Sequence, residues 1–323
     1  MIGIFKNNLF FNSLLLLPYL IVIRINSFIS PKTYAIQESD SIVTKAIFNN
    51  LESGLGQSII ALLLIYFHIL FINRFVIKHR LSNVITLLPG LFYGLLVSML
   101  PEYSMLSPYL FANTFVLLAL GEIFSLYKKP KAADLLFNVG FFTASAALFV
   151  PNYIVLLLLG IIGIFVLRSM KLNEFLQMIS GVVLVIFFFS GILYLLDKAI
   201  LPELSKLSLI PRLHFLDLRG EMLYKAATIA GIAVFTVLRY GNYTLKKSIQ
   251  VQKKIDILFW FMIVQLIMIF FYIQINAHLA LLVFIPLSIL LSFSFLRIKS
   301  NLVQELVHLA GLVLLFLMNF GFA

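Results

Sequence analysis

QSIIALLLIYFHILFINR, residues 57–74, is an 18-residue run whose one charge, Arg74, closes it. Hydrocarbon offers no water to pair with backbone N–H and C=O groups. A chain that crosses it must therefore satisfy those groups internally, which a helix does. About 20 apolar residues span the core of a bilayer. NEFLQMISGVVLVIFFFSGILYLL, residues 173–196, reads the same way, with its one acid beside its start. The full series is 8–26, 57–74, 82–100, 107–127, 132–149, 151–167, 173–196, 222–239, 255–275, 278–296 and 302–322. Between 132 and 167 only Pro151 divides one run from the next. Hydrophobic residues make up 62% of the chain and charged ones 11%, and the mean hydropathy is +1.07. Little chain remains between the runs, so no soluble domain is expected. The expectation is an all-α, polytopic transmembrane bundle of about eleven spans, one domain over residues 1–323. The first run follows Lys6 but lacks a small-residue cleavage pattern and contains Pro18 and Arg24, so it reads as a retained helix rather than a signal peptide.

The charges sort by side. With the N-terminus in the cytoplasm, the inner connections hold sixteen basic residues and five acidic ones, while the outer connections hold eight of each. The whole net charge of +11 then lies inside, as the positive-inside rule requires of a multi-pass protein of a bacterial inner (cytoplasmic) membrane. Topology thus explains the basicity, and a nucleic-acid partner is not expected. The absence of cysteine excludes disulfides, thiolate metal sites and a cysteine nucleophile.

Two outer segments, 27–56 and 197–221, are long enough to carry function, and both read as membrane-surface segments. In the first, Ile42, Ala46 and Ile47 share one face of a helix expected over 41–51, capped by Ser39 or Ser41 and ended by Gly54 and Gly56. That face is expected to meet lipid or the bundle. The second mixes charges of both signs with apolar residues, Pro202 and Pro211. Pro18, Pro89-Gly90 and Pro286 interrupt spans 1, 3 and 10. Broken helices in matching halves would suggest a transporter, but these breaks do not match.

Few ionisable groups lie deep in the runs. Glu122 is within two turns of Lys128 and is expected to snorkel. Glu305 and His308 are spaced to touch. His68, His278, Gln265 and Gln274 are expected to hydrogen-bond between helices. The chain has no HExxH, GxSxG, P-loop or GxGxxG, and no metal site is expected. Chemistry is therefore sought among the outer charges. Glu38 and Asp40 stand in QESD, and Glu102 lies between spans 3 and 4. Asp197, Glu203, Asp217 and Glu221 accompany Lys198, Lys206, Arg212, Arg219 and Lys225. A carboxylate there could act as general base, and the basic residues could hold a lipid phosphate; solvated surface charge is the plainer reading. Glu221 and Lys225 are spaced as a helix-start ion pair.

From Leu106 to Arg168 a span ends in the basic turn YKKPKAADLLF (127–137). A small-residue span, NVGFFTASAALFVP (138–151), follows, and the next closes at VLRS (166–169). This order, after a first span and an acidic outer loop, resembles the polyprenyl-phosphate-sugar-dependent glycosyltransferases of the C fold. The chain also resembles an uncharacterised family of Bacteroidota integral membrane proteins. The first resemblance implies sugar transfer from a polyprenyl phosphate at the outer leaflet. It further implies an acidic catalytic residue in the first outer loop, here Asp40 or Glu38, with Arg212, Arg219 and Lys225 as phosphate- or lipid-binding residues. Ser39 separates the two acids, where the family often sets them side by side, and the large soluble C-terminal domain of many members is absent. The alternative is a non-catalytic membrane subunit or scaffold of an envelope or secretion complex; a transporter ranks third. Membrane lipids, polyprenyl phosphate among them, and membrane-protein partners are the partners implied. A cavity between the two outer segments is expected, with Asp40 or Glu38 at its rim.

Overall fold

The computed structural model describes residues 2–38, 40–168, 171–207, 221–245, 247–271 and 280–320. Its regular structure is helical, with no strand among the described residues. In chain order the α-helices of seven residues or more are α1 (Phe10–Ile23), α2 (Ile42–Phe48), α3 (Gly54–Lys78), α4 (Leu88–Ser98), α5 (Pro108–Ser125) and α6 (Ala133–Phe149). There follow α7 (Leu157–Leu167), α8 (Leu172–Leu195), α9 (Ile200–Lys206), α10 (Glu221–Leu238), α11 (Ile249–Phe271), α12 (Ala280–Leu296) and α13 (Asn301–Phe320). Each apolar run of the sequence holds one of them. Among the described residues four stretches are long and apolar enough to cross a membrane: Gly54–Lys78, Pro108–Ser125, Leu172–Leu195 and Asn301–Asn319.

Pro18 and Pro286 lie inside α1 and α12, as expected. Pro89 does not interrupt a span. It occupies the first turn of α4, where its missing N–H costs nothing, and so starts the helix. The Gly90 N–H donates to Asn73 Oδ1 of α3 at 2.8 Å, capping α4 from its neighbour. Pro151 opens a 3-10 segment, Pro151–Leu156, and so separates α6 from α7.

Packing is closest between α6 and α8. A Cβ on Gly140 would land on the Met178 carbonyl, and one on Gly181 on the Phe137 carbonyl. The two glycines let the backbones touch, which is how helices associate where lipid gives no hydrophobic drive. In the core, His68 of α3 bonds Tyr93 Oη at 3.1 Å and Thr114 Oγ1 at 2.8 Å, and Asn113 Nδ2 donates to Tyr93 Oη at 2.8 Å. His68 thus links three helices. Gln265, 2% exposed, does not: among the described residues neither of its side-chain polar atoms has a hydrogen-bond partner. His278 and Gln274 lie outside the described residues.

The connections gather at two ends. At one, Thr44 Oγ1 donates to the Phe149 carbonyl (3.2 Å), the Ile42 N–H to Glu203 Oε2 (3.2 Å) and Lys225 Nζ to Glu102 Oε1 (2.6 Å). At the other, Lys6 Nζ reaches Asn301 Oδ1 (2.9 Å), Lys247 Nζ reaches Asn83 Oδ1 (2.6 Å) and Arg297 reaches the Asn242 carbonyl.

In the stretch 41–51, where a helix is expected, α2 forms and ends at Phe48. Ser41 caps it by accepting from the Thr44 N–H at 3.2 Å. Ser39 lies outside the described residues. Its buried face is Ser41, Thr44 and Phe48, while Ala46 is exposed and Ile42 and Ile47 are half-buried. Phe48 sits 4.8 Å from the ring of Tyr34 and 6.5 Å from that of Phe111, so aromatic packing sets the inward face. Gly54 does not end this helix; it begins α3, whose cap Ser53 accepts from the Gly56 N–H.

Candidate functional site

The segments 27–56 and 197–221 meet at Asp40–Ile42. Lys206 Nζ donates to the Asp40 carbonyl at 3.1 Å and pairs with Glu203 Oε1 at 2.7 Å, while the other Glu203 oxygen takes the Ile42 N–H. Ser41, Ala147, Pro151, Phe189, Glu203 and Lys206 line a cleft between the segments, with room for about one water. The Asp40 carboxylate is held from one side. Tyr34 Oη donates to both its oxygens at 3.2 Å and the Gln37 N–H to Oδ2 at 2.8 Å. Burial pushes the Tyr34 phenol up, and the charge of Asp40 pushes it further, so the hydroxyl stays a donor. Glu38 is exposed, and its backbone carbonyl accepts from Lys45 Nζ at 2.8 Å. The two acids share this loop; Lys225 does not join them. Arg212 and Arg219 lie outside the described residues.

Lys225, in the first turns of α10, pairs with Glu102 in a 3-10 turn, Pro101–Tyr103. The Glu221 side chain, its expected partner, is outside the described side chains. The same turn receives Arg24, which follows α1. Arg24 is 3% exposed, and its Nη2 donates to the carbonyls of Tyr103 at 2.5 Å and Ser104 at 3.2 Å. Tyr103 Oη accepts from the Leu281 N–H at 3.0 Å, and the Tyr109 and Tyr153 rings stand 6.3 Å apart beside it. Among the described residues Arg24 Nε and Glu102 Oε2 are buried without a hydrogen-bond partner.

In the sequence Arg24 stands only as one of eight outer basic residues and as a mark against a signal peptide. One signal was available: it interrupts IVIRI, a basic residue inside an apolar run. The contact of Arg24 with the Pro101–Tyr103 turn has no sequence signature, because the two lie in separate connections.

The opposite end holds a second buried group. Lys254 Nζ lies 3.2 Å from His79 Nδ1, both nearly buried, with Phe75 and Phe124 edge-on to the imidazole. Burial, reinforced by Lys254 and Lys78, holds the His79 pKa down to about 3, so the ring is neutral and accepts. Arg168 and Glu174 pair at 2.6 Å where α7 gives way to α8. His308, expected against Glu305, gives its Nε2 to Tyr19 Oη at 2.8 Å, because Tyr19 offers a buried partner across helices. Glu122 is half-buried and is hydrogen-bonded by Asn138 of α6. Among the described residues no three His, Asp or Glu side chains are grouped to hold a metal ion.

These features define an all-helical protein whose longest apolar helices are of a length to cross a membrane. Over residues 1–323 the chain matches, and belongs to, the family described as "Family of unknown function (DUF6427)". No curated protein and no solved structure matches it.

Proposed function

We propose that this is a multi-pass protein of a bacterial inner membrane, with eleven spans and a cytoplasmic N-terminus, that handles a polyprenyl-phosphate-linked sugar at the outer leaflet. The gathering of the connections at two ends supports the topology. Lys6, Lys78, Arg168, Lys247, Lys254 and Arg297 fall at the end read as inner, and Asp40, Glu102, Glu203 and Lys225 at the other. The transfer reading is carried by one observation: Asp40 is oriented by Tyr34 and Gln37 at the joint of the two outer segments, beside the Lys206 ammonium. In that reading Asp40, or Glu38, takes the proton of an acceptor hydroxyl. The acceptor oxygen bonds to the anomeric carbon, the bond from that carbon to the phosphate oxygen breaks, and polyprenyl phosphate leaves toward basic side chains.

A specific observation favours a second reading, a non-catalytic subunit or scaffold of an envelope assembly. The Asp40 carboxylate already accepts from two donors of its own loop, which also suits a purely structural turn, and the cleft is too small for a sugar. Mass spectrometry of the gently solubilised protein separates the two: copurifying polyprenyl lipid supports transfer, stoichiometric protein partners support the scaffold. Asp40→Asn and Glu38→Gln should abolish transfer while leaving expression intact. If both leave the cell's glycans unchanged, the catalytic assignment is wrong.

A further inference from the structure

We propose that α9 (Ile200–Lys206) is a lid over the cleft at Asp40–Ile42, latched to the backbone there and hinged at Asp197. The inference deepens the reading above, since it names how a cleft with room for about one water admits a sugar, and it rests on that reading for its purpose. None of the seven residues of α9 is buried. Ile200, Glu203, Leu204 and Lys206 are half-buried, and Leu201 is 81% exposed. Among the described residues, two hydrogen bonds tie α9 to the rest of the bundle. The Ile42 N–H donates to Glu203 Oε2 at 3.2 Å, and Lys206 Nζ donates to the Asp40 carbonyl at 3.1 Å. Leu207, just past the helix, is half-buried against the core. An element with so little buried apolar surface opens by itself at low cost, well before the bundle unfolds.

The hinge is set apart from the latch. Asp197 has φ 51°, in the left-handed region that favours glycine. The Lys198 N–H donates to the Leu193 carbonyl at 2.9 Å across it, so α8 closes on itself and the chain turns a corner without help from α9. The latch holds the groups that a sugar needs. Glu203 Oε1 and Lys206 Nζ, 2.7 Å apart, line the cleft together with Ala147 and Phe189. When α9 lifts, the carboxylate offers an acceptor and the ammonium a donor to hydroxyl groups, beside apolar side chains that suit the C–H faces of a sugar ring. The Asp40 carboxylate stays where it is, because Tyr34 and the Gln37 N–H hold it from its own loop. Opening therefore widens the cleft without moving the proposed base. A helix docked for good keeps an apolar face in the core, and α9 buries no side chain there.

The chain has no cysteine, so one introduced thiol reports on the cleft. Ala147 lines it and is 1% exposed. Ala147→Cys, as purified full-length protein in neutral detergent, would be timed against a hydrophilic maleimide. The labelling rate follows the population of the open form when opening and closing are faster than the reaction. Glu203→Met and Lys206→Met, each added to Ala147→Cys, remove one charge-assisted tether and fill about the same space, so truncation does not open the cleft. Labelling should become at least ten times faster in each. Ala112→Cys, at a position 0% exposed on α5, reports general unfolding and should stay unlabelled with either tether variant. Leu148→Cys, in the same cleft and half-buried, repeats the measurement if Ala147→Cys does not fold. Labelling unchanged by both tether variants, or an equal rise at Ala112→Cys, overturns the lid. The readout needs no transfer step. Faster labelling in the tether variants, with glycans unchanged by Asp40→Asn and Glu38→Gln, would sink transfer alone. Transfer lost in Asp40→Asn, with labelling unchanged by the tether variants, would sink the lid alone.

Discussion

Replacing Gly181 by alanine tests the closest contact in the bundle. The added Cβ falls on the Phe137 carbonyl and 2.8 Å from the Phe141 nitrogen. Its counterpart Gly140→Ala strikes the Met178 carbonyl and stands 2.9 Å from its carbon. These are backbone atoms of neighbouring helices, so no side chain can swing aside. The helices must part, which loses close Cα–H···O contacts of about 0.5–1 kcal/mol each and the packing around them. Overpacking of this kind costs about 1–3 kcal/mol. Each substitution should therefore destabilise by about 2–3 kcal/mol, a factor of about 30 to 150 in the folded-to-unfolded ratio. The same helix supplies the control. A Cβ on Gly191 meets nothing within 4 Å, so Gly191→Ala should be neutral or stabilise by about 0.5–1 kcal/mol through helix propensity. Reversible unfolding in mixed micelles with increasing dodecyl sulfate, followed by circular dichroism, measures all three. Gly181→Ala and Gly140→Ala no less stable than Gly191→Ala would mean that α6 and α8 do not meet through these glycines.

Other outcomes follow from single contacts. The His79 pKa is about 3 in the fold against about 6.5 unfolded, so between these values the unfolded state binds more protons. Stability from this group is complete above pH 6.5 and falls as the pH drops toward 3; thermal melts should show a steeper acid loss for the parent than for His79→Gln. Glu174→Gln leaves the Arg168 guanidinium, 17% exposed, without its 2.6 Å partner and should cost about 2–4 kcal/mol, most of which Arg168→Met combined with Glu174→Leu should recover in the same dodecyl sulfate assay. Ser41→Ala removes the cap of α2 and should cost about 1 kcal/mol by the same measurement. Reporter fusions after Lys254 and after Ala323 should signal on opposite sides, cytoplasmic for the first; agreement between the two would mean an even number of crossings between them.

Run length and backbone chemistry alone were enough to place the helices, since an apolar stretch such as 173–196 has one low-cost conformation in hydrocarbon. Charge likewise sorts the connections into two groups, and contacts such as Lys6–Asn301 and Lys225–Glu102 each join residues of one group. Local pattern failed where a neighbour decided the outcome. Ile42, Ala46 and Ile47 are spaced as an apolar face, yet Phe48 is turned inward by Tyr34 and Phe111, which lie outside its own helix. Pro89 reads as a break, but a side chain from α3 caps the helix it starts. Asp40 reads as a free acid, whereas the turn that brings Tyr34 and the Gln37 N–H onto it is a matter of conformation. Lys206 and Glu203 lie far along the chain from Asp40 and Ile42 and meet them only in the folded bundle. The sequence by itself determined the helices and their solvent, because those depend on each segment's own hydrogen bonds and transfer energy. Tertiary packing decided the site, because burial and unmet hydrogen bonds arise from groups that no single segment contains.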